Sequence, residues 1–112
     1  MAATAENEYR WNHDGRRAER LGVQMQAALR PSGSTRFDVD VIDMSVIGVG
    51  FGTASNLNIG DRVWLTVPGM TGLESYVVWR RGHRYGCEFA APLHKAVLDH
   101  IVSQFRMPGK AS

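Results

Sequence analysis

Between Leu21 and Phe89 the apolar residues of this chain recur mainly at every second position, and after Pro92 they recur at every fourth. A period of two puts successive side chains on opposite faces, the mark of a half-buried strand. A period near four marks one face of a helix. The chain is therefore restricted to a run of strands closed by one amphipathic helix. With 112 residues it has the length of one domain.

Leu21, Val23, Met25, Ala27 and Leu29 point one way in the first strand, with Gln24, Gln26 and Arg30 opposite. Pro31-Ser32-Gly33-Ser34 is a turn by composition. Phe37, Val39 and Val41 alternate with Arg36, Asp38 and Asp40, which predicts a second strand in a hairpin with the first. Ile47–Phe51, interleaved with glycine, reads as a short or bent strand where other backbone comes close. Its glycines are expected to relieve crowding where Trp64, Trp79 or a ligand packs. Val63, Leu65 and Val67 give a fourth strand, Leu73–Trp79 a fifth and Tyr85–Phe89 a sixth. Six strands at these spacings fit a small barrel or sandwich. Leu93, Val97, Ile101 and Phe105, flanked by Leu98 and Val102, form the helix stripe. Pro92 suits its start and Pro108-Gly109 its end. The stripe needs an open end or side of the barrel to cover.

Several function classes fit poorly. Cys87 is the sole cysteine, so no internal disulfide framework exists, and it reads as a small core residue. His13, His83, His94 and His100 lack metal-site spacing. Ser45 has no nucleophile-elbow glycines around it. Gly48-Val49-Gly50-Phe51-Gly52 resembles a phosphate loop, but Thr53 stands where the third fingerprint glycine belongs and no long helix comes next. The expectation is a protein that is not an enzyme and carries no cofactor or metal. No apolar run nears the ~20 residues of a membrane helix, and Met1–Tyr9 lacks the form of a secretory signal. A cytoplasmic location without membrane insertion is therefore expected. A net charge of +2 is too balanced for a protein that coats nucleic acid. Eleven of the thirteen basic residues are nevertheless arginine, the residue suited to bidentate contact with phosphate and guanine edges.

Two short patterns carry the chemistry. Arg16 and Arg20 are four residues apart, hence on one face whether the segment is extended or helical. Their forks suit phosphate oxygens and the O6/N7 edge of guanine. In Asp43-x-Ser45-x-x-Gly48, the carboxylate can accept from guanine N1–H and N2–H. Ser45 can bond a phosphate, base or sugar, and Gly48 allows a close turn beneath a ligand. Arg17 can serve in place of Arg16 or stand as its neighbour.

The combination resembles the PilZ domain family, bacterial receptors for cyclic di-GMP, whose signatures Arg-x-x-x-Arg and (Asp/Asn)-x-Ser-x-x-Gly stand complete here as Arg16–Arg20 and Asp43–Gly48. Similarity continues through Leu57–Val63, Val77-Val78-Trp79-Arg80, Gly82 and Gly86-Cys87-Glu88-Phe89, and covers residues 10–106. The resemblance implies an all-β fold with one helix: a six-stranded antiparallel β-barrel plus a C-terminal α-helix. It assigns cyclic di-GMP binding to Arg16, Arg17, Arg20, Asp43, Ser45 and Gly48. It further implies a ligand-controlled adaptor read by an unidentified downstream protein. A ligand-independent scaffold and a small-barrel binder of single-stranded nucleic acid are the alternatives; the modest charge disfavours nucleic acid. Residues 1–15 read as a flexible arm, 16–106 as the domain and 107–112 as a tail. Arg10 and Trp11 fall outside both motifs.

Overall fold

A computed structural model describes residues 19–105. Six strands appear in chain order: β1 (Leu21–Pro31), β2 (Phe37–Met44), β3 (Gly48–Gly52), β4 (Arg62–Thr66), β5 (Leu73–Arg81) and β6 (Arg84–Phe89). One helix, α1 (Lys95–Phe105), comes after them. All the pairings are antiparallel and the sheet closes on itself in the order β1-β2-β3-β6-β5-β4. The expected six-stranded barrel with a C-terminal helix is what the chain forms.

The period-two pattern explains the interior. Val23, Ala27, Leu29, Val39, Val41, Val49, Phe51, Val63, Leu65, Val77, Tyr85 and Cys87 are all buried and fill one core. Closure removes the open sheet edges that would carry unpaired backbone groups. The expected first hairpin forms, with Leu29 opposite Phe37 and Ala27 opposite Val39. Its turn uses Gly33 at φ 76°, a backbone angle that favours glycine.

Alternation fails at two places, and both matter for the site. Val41 and Asp43 on β2 oppose the consecutive residues Phe51 and Gly50 on β3, so Ile42 is an extra residue. Val77 and Trp79 on β5 oppose Cys87 and Gly86 on β6, so Val78 is extra. Each β-bulge reverses the facing of the strand residues after it. Strict alternation from Val39 and Val41 would aim Asp43 inward; the bulge aims it outward and turns Met44 into the core instead. Val77 is likewise buried in the core, but Trp79 lies on the outer face.

The helix begins later than Pro92. Leu93 N–H donates to Val46 C=O at 2.7 Å, which holds the connector against the β2–β3 turn. Only at His94 is the chain free to wind. His94 Nδ1 accepts from Ala96 N–H at 3.0 Å, and His94 C=O accepts from Val97 and Leu98 N–H. The imidazole thus serves as an N-terminal capping side chain. Leu98 and Ile101 enter the core, with Leu93, Val102 and Phe105 packed at its margin. Val97, placed in the stripe by its spacing, stays exposed. The helix lies against β1 and covers the barrel there.

Candidate functional site

Asp43, Gly50, Gly86 and Trp79 form one row across β2, β3, β6 and β5, each directly opposite its neighbour. Val49, Phe51, Tyr85 and Cys87 on either side of the two glycines are core residues, so this row faces outward. The glycines leave a floor without side chains, and the two end residues fold over it. A Cβ on Gly50 would stand 2.7 Å from Asp43 Oδ1. A Cβ on Gly86 would collide with the Trp79 indole at Nε1, Cε2 and Cδ1. Trp79 is only 7% exposed yet is no member of the barrel core. It is buried on the outside of the barrel, flat on glycine. The expected crowding relief at Trp79 is therefore real, though its glycine comes from β6. The run on β3 makes room for Asp43.

Arg20 Nη2 donates to Asp43 Oδ2 at 3.0 Å, with both side chains partly exposed. The other carboxylate oxygen, Oδ1, is buried, as is Trp79 Nε1, and among the described residues neither has a hydrogen-bond partner. An acceptor and a donor left unpaired in a buried setting cost free energy, on the order of 1–3 kcal/mol each, and such groups call for an explanation. The cleft around them measures about 150 Å³ and is lined by Arg20, Ile42, Asp43, Gly50, Phe51, Trp79, Arg81, Arg84 and Tyr85. Pockets that enclose a whole drug-sized ligand run to about 300–1,000 Å³. This one has room only for a group the size of a single aromatic ring system or a small anion.

Of the residues expected from sequence, Arg20 and Asp43 meet in the cleft. Ser45 and Gly48 do not line it. Ser45 is fully buried, its Oγ accepts from Ile47 N–H at 3.1 Å and its N–H donates to Gly48 C=O at 2.9 Å. Here Ser45 and Gly48 build the tight turn immediately after Asp43. Ile47 C=O in that turn accepts from Phe89 N–H and Val46 C=O from Leu93 N–H. The aspartate's backbone is thereby tied to the end of β6 and the approach to α1. Arg16 and Arg17, and the arm and tail assignments, lie outside the described residues. Trp79, Gly50, Gly86, Arg81 and Arg84 were not assigned to the site from sequence. The signal that could have found them is Gly86 within β6, since a strand glycine often marks a close approach.

Among the described residues, no group of three or more His, Cys, Asp or Glu side chains is placed to hold a metal ion. No helix there is long and apolar enough to cross a membrane.

The chain is a closed antiparallel barrel that carries an arginine–aspartate pair and a glycine-floored cleft on its outer wall. The family model for the PilZ domain matches residues 14–106, and the chain belongs to that family. No curated protein matches the chain.

Proposed function

We propose that this protein binds cyclic di-GMP at the Arg20–Asp43 cleft and acts as a ligand-controlled adaptor. Membership of the PilZ family supports the ligand class. The observation that carries the reading is the Asp43 carboxylate. One oxygen is held by Arg20 and the other is buried with no partner among the described residues. Guanine N1–H and N2–H are the donors such an acceptor lacks, while Arg20 suits phosphate or the O6/N7 edge. Adenine presents an acceptor at N1 and would leave the carboxylate unpaired, so the site should discriminate between the two purines.

In this proposal Arg16, or Arg17 in its place, supplies the second guanidinium, and Ser45 and Gly48 act through the turn that aims Asp43. The protein works by binding rather than catalysis, in the cytoplasm, and a downstream protein reads the bound state. Calorimetry with cyclic di-GMP, cyclic di-AMP and GMP tests the reading. Cyclic di-GMP is expected to bind tightest. Arg20→Ala and Asp43→Ala should each lose on the order of 2–4 kcal/mol of binding, as expected for charge-assisted contacts to a buried group. Equal affinity for cyclic di-AMP, or wild-type affinity in both variants, overturns it.

A further inference from the structure

We propose that Arg81 and Arg84 form a second phosphate-binding lip on the far side of the same cleft, and that this lip selects nucleotides with two separated phosphates. The nucleotide part of this inference rests on the cyclic di-GMP reading; the anion-binding part stands on its own.

Arg81 and Arg84 are direct cross-strand partners where β5 turns into β6. Only Gly82 and His83 separate them, and Gly82 makes the turn at φ 62°. The register thus sets two arginines directly opposite each other, and both can donate to one anion placed over the turn. Both line the cleft that Arg20 and Asp43 line. They occupy the same outer face as Trp79 and Gly86, two residues further along each strand. Arg84 is two residues along β6 and two strands across from Asp43, so at a rise of about 3.3 Å and a strand spacing of about 4.8 Å the two Cα atoms stand about 12 Å apart, at opposite sides of the glycine floor. Long arginine side chains from the two sides can therefore meet one nucleotide lying across the floor, Arg20 at one phosphate and the lip at the other.

The hairpin is also rigidly placed. Arg80, one position before Arg81, donates to Gly82 C=O, Leu57 C=O and Asn56 Oδ1, and its guanidinium stacks over the Tyr85 ring. His83 C=O accepts from Thr53 N–H at 2.9 Å. Arg80 therefore anchors the hairpin to the loop after β3, while Arg81 and Arg84 face the cleft. A binding group fixed on a rigid element loses little freedom when the ligand arrives.

The test is calorimetry on the full chain with cyclic di-GMP, GMP and pyrophosphate, joined to NMR of the arginine Nε–H signals. Arg84→Ala and Arg81→Ala should each weaken cyclic di-GMP at least tenfold and narrow its advantage over GMP. Arg84→Lys should restore part of the affinity but little of that advantage. Arg36→Ala, in a separate groove with Arg30 and Trp64, is the charge control and should stay within twofold. Wild-type affinity and unchanged discrimination in both the Arg81 and Arg84 variants overturn the lip. If wild-type protein fails to bind cyclic di-GMP, the nucleotide reading falls and pyrophosphate decides the rest. Shifts confined to Arg81 and Arg84 retain the anion lip, and their absence removes it.

Discussion

Gly50 and Gly86 are the residues on which the cleft depends most directly, because each is the place where another side chain lies down. Gly86→Ala puts a methyl group into the Trp79 indole, whose rigid ring must move as a unit. In a Trp11→Phe/Trp64→Phe background, the fluorescence of Trp79 should shift to the red as the ring is pushed toward water, and cyclic di-GMP affinity should fall. Gly50→Ala touches only a carboxylate oxygen, so it should re-aim Asp43 and weaken binding about tenfold or more while the barrel melts near its usual temperature. Arg20→Ala separates the same two properties. Its ion pair with Asp43 is partly exposed, and such pairs contribute about 0–1 kcal/mol to stability. Thermal melts should barely change even as titration shows binding lost; a large fall in melting temperature would mean the pair is structural.

The elements are held by a few polar contacts at their ends. Tyr85 Oη accepts from Leu57 N–H and donates to Ser55 C=O, both at 3.1 Å, so a core ring reaches out to hold the loop after β3. Tyr85→Phe keeps the stack on Phe51 but leaves Leu57 N–H buried without its acceptor. Urea unfolding should show a loss of about 1–3 kcal/mol, and hydrogen exchange should speed up at Leu57 before it does in the strands. The helix depends in the same way on His94. His94→Ala removes the acceptor for Ala96 N–H and should cost about 1 kcal/mol, whereas His94→Ser or His94→Asp should recover most of it. Equal losses in all three would show that the ring acts by packing.

The whole molecule closes around Cys87, whose thiol is fully buried among strands β3, β5 and β6. Burial alone pushes its pKa well above the ordinary value of 9.0. A thiol must stay protonated to remain in that setting, so deprotonation favours the unfolded chain once pH exceeds the unfolded-state value near 9. Unfolding free energy should therefore decline above about pH 9, and the decline should be shallower in Cys87→Ala. Thiol reagents should label Cys87 at the rate of global opening, faster in urea; rapid labelling in native buffer would contradict a closed barrel. Ligand binding belongs to this scale too. Cyclic di-GMP is expected to protect Arg16, Arg17 and Arg20 from trypsin, with Arg10 protected less. Unchanged cleavage at saturating ligand would show that this segment takes no part in the response.

The strands, their inward faces and the helix were written in the sequence because alternation is local: each inward Val, Leu or Phe records which side of its own strand is dry. Arg20 and Asp43, which meet in the cleft, stand in short patterns of fixed spacing that are equally local. The facing of Asp43 and Trp79 was not. Ile42 and Val78 are ordinary apolar strand residues, and nothing local marks them as extra. They become bulges only because β2 must pair with β3, and β5 with β6, inside a sheet that closes on itself. Closure likewise brought Arg81 and Arg84 to the cleft of Arg20, which stands far earlier in the chain, and buried Ser45 in the turn beneath Asp43. Periodicity sets which residues each strand can bury; pairing between strands distant in sequence sets which outward residues share a site.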